Sequence, residues 1–188
     1  MITGANVGIG YQTAKELNKQ GATVHMLCRS EERAREAMDR LVKEGCAAGR
    51  LRFFPCDLSS FRKVRDCAKT ILQAVDHIDI LINNAGIMIY PRFELTADGH
   101  EMTWHINHLA RELSKRLSVR PGNRVTVNSV HPGVVATDLT RHIPLIGNTP
   151  LRKPFIRIFL KTEKQGAATS LFLAMSPEVE GKTGGYYV

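Results

Sequence analysis

Several features that would place the chain in a specialised class of protein are missing from its 188 residues. There is no run of roughly 18 apolar residues, the length that a membrane-spanning helix needs. The first residues, Met1-Ile2-Thr3-Gly4, lead directly into a glycine-rich motif and do not resemble a secretory signal peptide. No internal repeat and no low-complexity tract is present. With 43% hydrophobic residues, the sequence instead predicts one domain with its own core.

Cysteine pairs at the spacing of metal or redox sites are also missing. The four cysteines, Cys28, Cys46, Cys56 and Cys67, include no Cys-x-x-Cys motif, so we expect neither a zinc site nor a disulfide framework. Scattered thiols are typical of proteins in a reducing compartment. Together with the lack of a signal peptide, they predict a cytoplasmic or membrane-associated intracellular location.

Acidic residues are fewer than basic ones, and the formal net charge is +8. The basic side chains are spread along predicted helices, and a single tryptophan offers no platform on which nucleic-acid bases could stack. We therefore do not expect nucleic-acid binding. An anionic cofactor or a lipid surface accounts for the positive charge equally well.

Short β-rich runs alternate with longer amphipathic stretches, which is typical of a parallel sheet with crossover helices. Strands are predicted at residues 1–3, 22–27, 51–54, 78–82, 124–130 and 185–188. Helices are predicted at residues 9–20, 30–44, 60–75, 99–118 and 163–175. The predicted fold class is α/β, a doubly wound parallel sheet of the Rossmann type. We expect residues 1–188 to form a single dinucleotide-binding domain whose first and last strands are clipped.

A glycine-rich turn, Thr3-Gly4-Ala5-Asn6-Val7-Gly8-Ile9-Gly10, joins the first predicted strand to the first helix. Gly4 permits a tight turn, Gly8 lets the backbone approach a pyrophosphate, and Gly10 lets the helix pack against the strand. The N–H groups and the dipole at the start of that helix favour a negative charge. The motif predicts a dinucleotide site, although a glycine-rich turn without a ligand has the same local pattern.

The end of the second strand indicates which dinucleotide is bound. Arg29 follows this strand, nineteen residues after Gly10. An NAD site has an acidic side chain here for the ribose hydroxyls, whereas an arginine matches the 2′-phosphate of NADP. Arg29 could also be a solvated residue at a helix start, but in combination with the glycine turn it favours NADP(H).

Polar residues follow the third and fourth predicted strands as well. Asp57 could accept a hydrogen bond from an adenine amino group or cap the following helix, and both interpretations stay open. In Asn83-Asn84-Ala85-Gly86, the small residues let the backbone come close to a ribose. The two asparagines can bridge neighbouring strand ends.

In this order and spacing, Thr-Gly-x-x-x-Gly-Ile-Gly, Asp-Leu and Asn-Asn-Ala-Gly resemble the short-chain dehydrogenase/reductase family. Residues 80–88, Asn107-His108-Leu109 and His131-Pro132-Gly133-Val134-Val135 resemble its retinol dehydrogenase branch. The resemblance implies that Gly4, Asn6, Gly8, Ile9 and Gly10 hold the pyrophosphate and that Arg29 holds the 2′-phosphate. It implies that Asp57 and Leu58 hold the adenine, and that Asn84, Ala85 and Gly86 hold the ribose. The nicotinamide would be positioned by Pro132, Gly133, Val134 and Thr137.

The resemblance also implies catalytic residues that the sequence lacks. The family moves a proton on the substrate oxygen with a tyrosine, a lysine four residues later and a serine. Tyr11 and Lys15 have the spacing, but they lie in the helix after the glycine turn and match a non-catalytic pair of the family. The other tyrosines have no lysine four residues later: Tyr90, Tyr186 and Tyr187.

The missing residues fall at one place. After Asn107-His108-Leu109 the family pattern continues with a strand carrying the serine and a helix carrying the tyrosine and lysine. Here Ala110 is followed by Arg111-Glu112-Leu113-Ser114, which resembles the end of that helix. The resemblance therefore implies that about sixty residues, or two strand–helix units, are absent between residues 110 and 111. Asn107 matches a supporting asparagine of the family and cannot move a proton alone.

Two other segments were candidates for binding. His100, Glu101 and His105 lack the His-x-x-x-His spacing of a zinc protease, so we expect no metal. Residues 144–161 mix apolar and basic side chains. They could cover an apolar substrate, rest on a membrane surface or simply pack on the sheet.

Two functions are consistent with these features. The first is an NADP(H)-dependent oxidoreductase lineage acting on an apolar alcohol or aldehyde, with catalysis impaired in this chain. The alternative is a non-catalytic cofactor-binding protein, or a product of exon loss or of a faulty gene model.

Overall fold

A computed structural model describes residues 1–87, 92–108, 128–135, 160–182 and 184–188. The first part contains β1 (Ile2–Thr3), α1 (Gly8–Lys19), β2 (Val24–Cys28), α2 (Glu31–Lys43), β3 (Leu51–Pro55) and α3 (Phe61–Ala74). The later part contains a helical segment at residues 102–108 (α4), then β4 (Ser129–Val130), α5 (Glu163–Met175) and β5 (Tyr186–Tyr187). Single 3-10 turns lie at Ala48–Arg50 and Pro177–Val179.

The first three strands form a parallel sheet in the order β1-β2-β3, so that β2 is central. On the other side of β1, Ile82 forms an isolated parallel bridge with Ile2. The N–H of Thr3 donates to the Ile82 carbonyl at 3.0 Å, and the Ile82 N–H donates to the Met1 carbonyl at 2.8 Å. The predicted α/β class with parallel strands is confirmed.

The predicted strand at residues 78–82 is wrong in its extent, since only Ile82 pairs with β1. A strand extends only where its neighbour offers a ladder, and β1 is two residues long. Ile80 makes no strand ladder, and its carbonyl instead accepts a hydrogen bond from the ammonium group of Met1 at 2.7 Å. The segment before Ile82 therefore runs beside the sheet without joining it.

β4 and β5 pair in parallel as a second sheet of two strands. In the described ranges, no ladder joins this pair to β1-β2-β3, so the single sheet expected from the sequence is not continuous there. Of the strand predicted at residues 124–130, the structure shows Ser129–Val130, and residues 124–127 lie outside the described residues.

Helices cover both faces of the three-stranded sheet, as a doubly wound fold requires. Val24, Met26 and Cys28 of β2 point into an apolar cluster shared with α1 and α2. Leu27 points the other way, into a cluster with the buried face of α3. α5 packs beside α1, and its Leu171 and Ala174 contact the first cluster.

Carboxylates cap the amino ends of two helices. The carboxylate that caps α3 is distant in sequence, and the one that caps α4 directly precedes the helix. The Phe61 N–H at the start of α3 donates to Asp98 Oδ2 at 2.6 Å. Glu101 accepts hydrogen bonds from the N–H groups of Thr103 and Trp104, so the helix predicted from residue 99 begins at residue 102. Residues 109–118 of that predicted helix lie outside the described residues.

None of the helices in the described ranges has the length and apolar character needed to cross a membrane.

Candidate functional site

The predicted cofactor residues up to Gly86 gather at one edge of the sheet, because the carboxyl ends of parallel strands point the same way. β1 leads into the glycine turn, β2 into Arg29, β3 into Asp57, and the Ile82 bridge into residues 83–87. The strands thus bring together four loops that are far apart in sequence.

The glycine turn has the backbone conformation that its sequence predicts. Gly4 and Gly8 have φ values of 63° and 60°, in the left-handed region that glycine adopts without steric cost. A Cβ on Gly10 would lie 2.4 Å from Asn84 Nδ2 and 2.5 Å from the Gly4 carbonyl oxygen. α1 can therefore approach the strand ends this closely only with glycine at position 10.

Asn84 and Thr3 hold neighbouring strand ends together. Asn84 Nδ2 donates to the carbonyls of Thr3 at 3.0 Å and Gly4 at 3.3 Å. The Ala85 N–H donates to the hydroxyl of Thr3, a side chain that is almost fully buried, at 2.9 Å. The bridging role predicted for an asparagine is confirmed for Asn84, whereas the sequence did not single out Thr3.

The amino end of α1 differs from that of the other long helices. Its N-cap residue Val7 makes no side-chain capping hydrogen bond, and its first turn has no acidic residue. By contrast, Ser30 caps α2, Thr162 caps α5 and Asp98 caps α3. An anion at the start of α1 would meet backbone donors that the N-cap side chain does not use.

Arg29 is exposed beside the start of α2. A second guanidinium approaches the glycine turn from the other end of that helix. Arg40 Nη2 donates to the Asn6 carbonyl at 3.3 Å, and its guanidinium carbon lies 5.2 Å from the ring centre of Tyr11. The sequence pattern did not predict the position of Arg40, because this contact crosses between two helices.

Cys28, at the end of β2, lies directly beneath the glycine turn and was also missed by the sequence analysis. Burial raises the pKa of its thiol to about 11, against a smaller opposing effect of hydrogen bonds with the backbone of Ala5 and Asn6. The thiol therefore supports the turn as a neutral, buried group.

The carboxylate of Asp57 is occupied by neighbouring groups of this chain. Its Oδ1 accepts from the N–H and the hydroxyl of Ser59 at 3.0 and 2.7 Å, and its Oδ2 accepts from Lys63 Nζ at 2.8 Å. Burial alone would raise its pKa, but the hydrogen bonds from Lys63 and Ser59 outweigh it and hold the pKa low. Asp57 shapes the turn before α3, whose N-cap is Ser60, and Leu58 is buried.

Asn107 of α4 fixes the loop that follows Asn84. Its Oδ1 accepts from the Ile87 N–H and its Nδ2 donates to the Ile87 carbonyl, both at 2.9 Å. A Cβ on Gly86 would lie 3.2 Å from the same Oδ1. The Asn107 amide is therefore a positioning group for residues 86–87.

Residues 131–135, predicted to meet the nicotinamide, lie close to the start of α1. Val135 bridges to Lys161, and its side chain packs on Gly166, where Ile9 also makes contact. Gly133 has φ 77°, and the Lys161 side chain covers it. Val134 is exposed. Thr137 lies outside the described residues, as do residues 144–159 of the basic apolar segment.

The Tyr11–Lys15 pair is bound to a carboxylate on α2. The Tyr11 hydroxyl donates to Glu44 Oε1 at 2.7 Å, and Lys15 Nζ donates to Glu44 Oε2 at 2.9 Å. Burial, followed by the hydrogen bond to Glu44, raises the pKa of Tyr11 above its usual value. A general base of the family type needs the opposite shift.

The histidine-rich segment holds no metal-binding group of three ligands within the described residues. His105 is 1% exposed, and its Nε2 lies 3.6 Å from Asp98 Oδ2. Burial lowers the pKa of His105, against a smaller opposing effect of Asp98. Its ring packs edge-on to Phe61 at 4.9 Å between centroids, so His105 is a core residue.

A sequence model described as short chain dehydrogenase matches residues 1–111 of the chain. The chain belongs to the short-chain dehydrogenase/reductase family. It is 35% identical over 259 residues to Retinol dehydrogenase 14 of Mus musculus, a match that covers 100% of this chain and 76% of that protein. It is also 43% identical over 111 residues to a short chain dehydrogenase/reductase of Colletotrichum higginsianum, covering 58% of this chain and 27% of the relative.

The fold of this short-chain dehydrogenase/reductase is similar to that of an actinorhodin polyketide ketoreductase crystallised with NADPH. The TM-score is 0.72 at 19% identity, and the match covers 100% of this chain and 94% of the other. Family and fold therefore agree with the glycine turn and the parallel strands.

Proposed function

We propose that this short-chain dehydrogenase/reductase binds NADP(H) at the carboxyl edge of its sheet and is impaired in the proton transfer that an oxidoreductase needs. The observation that carries the proposal is the engagement of Tyr11 and Lys15 by Glu44. They are the only tyrosine and lysine of the chain at catalytic spacing, and both serve to join α1 to α2.

The glycine turn and the start of α1 fit a pyrophosphate. Gly4 and Gly8 turn the backbone, and the first N–H groups of α1 have no side-chain cap. Arg29 would bind the 2′-phosphate that distinguishes NADP from NAD. Asn84, Ala85 and Gly86 would face the ribose, and Leu58 and Asp57 the adenine.

The carboxylate of Asp57 already accepts hydrogen bonds from Ser59 and Lys63. Asp57 would therefore position the backbone of residues 57–58 against the adenine, and its side-chain oxygens would not bind the base.

A bound nicotinamide supplies or accepts the hydride. Pro132, Gly133, Val134 and Thr137 would position that ring, and the contact of Val135 with Gly166 beside Ile9 supports this placement. Asn107 would keep residues 86–87 in place through its two hydrogen bonds to Ile87. None of these side chains can take the proton of a substrate hydroxyl at neutral pH.

An internal deletion after residue 110 explains the missing proton donor, and two comparisons support it. The family sequence model matches residues 1–111 and no further. The alignment with the mouse relative runs over 259 residues, although this chain has 188, so it includes about 71 positions without a residue here. The absent unit is the one that would carry the family's serine, tyrosine and lysine.

For the substrate we propose an apolar alcohol or aldehyde. The support is the name of the mouse relative, a retinol dehydrogenase. Residues 144–161, which mix apolar and basic side chains, would cover such a substrate or rest on a membrane surface.

Fluorescence titration with NADPH and NADH tests the cofactor. We expect NADPH to bind more tightly, and Arg29→Ala to weaken NADPH about tenfold or more with little change for NADH, since it removes charge-assisted hydrogen bonds. Arg33→Ala, an equal change of charge on the exposed first turn of α2, is the matched control. Equal binding of both cofactors by the unchanged protein would contradict the NADP preference.

Turnover is tested separately with retinol and NADP, read as NADPH absorbance. Loss of general acid–base catalysis costs about 10²- to 10⁴-fold, so we expect turnover to be lower than that of the mouse relative by at least this factor. Insertion of the relative's segment between residues 110 and 111 should restore it. Turnover at the relative's rate by the unmodified chain, abolished by Tyr11→Phe, would contradict impairment.

The second candidate is a purely cofactor-binding protein, favoured by the same Tyr11–Glu44 bond. It predicts tight NADPH binding with no turnover on any apolar alcohol.

A further inference from the structure

The middle of the glycine turn is bound by a side chain from α2. Arg40 Nη2 donates to the Asn6 carbonyl at 3.3 Å, although the two residues are 34 positions apart in sequence. Asn6 lies between Gly4 and Gly8, which both have positive φ. Because glycine adopts many backbone conformations, the sequence of the turn does not by itself fix one of them. The bond from Arg40 therefore restrains a segment that has little rigidity of its own.

The Arg40 guanidinium is held in place by the face of Tyr11. Its central carbon lies 5.2 Å from the centre of the Tyr11 ring, within the range of a cation–π contact. Tyr11 is itself fixed, since it is 7% exposed and its hydroxyl donates to Glu44 Oε1 at 2.7 Å. A planar guanidinium can stack on a ring while it donates hydrogen bonds in its own plane, and an ammonium group cannot. The arrangement thus suits arginine and not lysine.

The charge of Arg40 is not neutralised by an ion pair. Within the part of the chain that the structure describes, its guanidinium belongs to no ion pair, and Glu44 pairs with Lys15 instead. Arg40 and Gly8 line one cleft beside the start of α1, but Glu44 and Glu163 line it too. A phosphate seated in that cleft would meet both carboxylates. Arg40 is therefore placed to act on the turn and not as a direct ligand of a phosphate.

The geometry of the peptide unit links this bond to the donors of the turn. In the trans peptide between Asn6 and Val7, the C=O and N–H bonds point in opposite directions. Since the Asn6 carbonyl points to Arg40, the Val7 N–H points the other way, beside the start of α1 that has no side-chain cap. A flipped peptide would place a carbonyl oxygen there, and that oxygen would repel an anion.

We propose that Arg40 is a positioning residue of the cofactor site, which holds the Asn6–Val7 peptide so that the turn presents N–H groups to the pyrophosphate. This role rests on the cofactor binding proposed above. NADPH and NADH share the pyrophosphate, so loss of the Arg40 side chain should weaken both by the same factor. Loss of the Arg29 side chain, by contrast, should weaken only NADPH.

Fluorescence titration of Arg40→Met with NADPH and NADH measures this effect. Methionine keeps an apolar stem and removes the charge and the donors, and we expect both Kd values to rise about three- to tenfold. Arg40→Lys should behave more like Arg40→Met than like the unchanged protein, because lysine keeps only the charge. Arg33→Met, an equal loss of charge on the exposed first turn of α2, is the matched control and should leave both Kd values unchanged.

NMR relaxation of the unliganded chain gives a second readout, which needs no cofactor. In Arg40→Met, the amide order parameters of residues 5–8 should fall from about 0.85, typical of rigid backbone, toward 0.6. The amides of β1 and β2 should keep their values, and urea denaturation should change little. A contact that only stabilised the fold would lower the free energy of unfolding and leave both Kd values unchanged.

Four results would overturn the positioning role. A loss of affinity for NADPH alone would make Arg40 a ligand of the 2′-phosphate. Full cofactor affinity in Arg40→Lys would show that charge is sufficient. Unchanged Kd values in Arg40→Met, with the unchanged protein binding both cofactors, would refute this role and leave the proposed function intact. Failure of the unchanged protein to bind either cofactor would refute the dinucleotide site and this role together.

Discussion

At Gly10, almost no space separates α1 from the loops that follow the strands. A Cβ there would lie 2.4 Å from Asn84 Nδ2. We expect Gly10→Ala to lower the free energy of unfolding by about 1–3 kcal/mol, since overpacking forces side chains and backbone apart. Urea denaturation measures this. Gly49→Ala, where no atom lies within 4 Å of the new Cβ, should change it by less than about 0.5 kcal/mol.

His105 predicts a pH dependence of stability. Burial lowers its pKa in the folded chain, so below about pH 6.5 the unfolded chain takes up a proton that the folded chain does not. Stability should therefore fall as the pH falls through 6.5 toward the folded-state pKa. Urea denaturation at pH 7, 6 and 5 should show a flatter profile for His105→Gln, while His77→Gln, at an 80% exposed side chain, keeps the original slope.

The residues that the sequence predicted well are those whose role is local. Gly4 and Asn84 lie just after strand ends and Gly8 begins α1, places where conformation and reach follow from the residue type. The ion pair of Asp57 with Lys63 and the approach of Arg40 to Asn6 could not be predicted. They depend on how helices pack against loops, and the linear pattern does not contain that information.

At the scale of elements, Glu44 joins two helices. Glu44→Ala would leave the part-buried Tyr11 hydroxyl without its protein acceptor, which costs about 1–2 kcal/mol of unfolding free energy. Urea denaturation should show this loss, and Glu36→Ala, at an exposed carboxylate of the same helix, should not. NADPH affinity should fall little in comparison. A selective loss of turnover with unchanged stability would instead indicate a catalytic role for the Tyr11–Lys15 pair.

Helices were predicted better than strands. The described bounds of α1, α2, α3 and α5 lie within one residue of those expected, because caps and glycines mark helix ends in the sequence. The strand at residues 78–82 was wrong in extent because pairing depends on the length of β1. A strand forms its hydrogen bonds with a neighbouring strand, whereas the hydrogen bonds of a helix lie within its own segment.

At the scale of the molecule, cofactor binding should stabilise the fold. A ligand at one hundred times its Kd adds about 2.7 kcal/mol to the free energy of unfolding. We expect NADPH at that concentration to raise Tm in thermal unfolding, and NADH at the same molar concentration to raise it less. An unchanged Tm at saturating NADPH would contradict cofactor binding, whatever the catalytic state of the chain.

The family was recognisable from motifs, whereas the lack of a ladder between β4–β5 and the first sheet, within the part of the chain that the structure describes, was not. The glycine turn, Asp57-Leu58 and residues 83–86 are local sequence signatures that lie along one edge of the sheet. The continuity of a sheet depends on every strand between its two ends. The sequence indicated a missing unit after residue 110, but not how the remaining strands would pair.

The bond from Phe61 to Asp98 spans 37 residues of chain. During synthesis, which proceeds from the amino end, α3 leaves the ribosome well before the carboxylate that closes its first turn. Until then the Phe61 N–H at the start of α3 can donate only to water. The amino end of α3 should thus be the late-maturing part of an otherwise early helix, slowest to gain protection in pulsed hydrogen exchange during refolding.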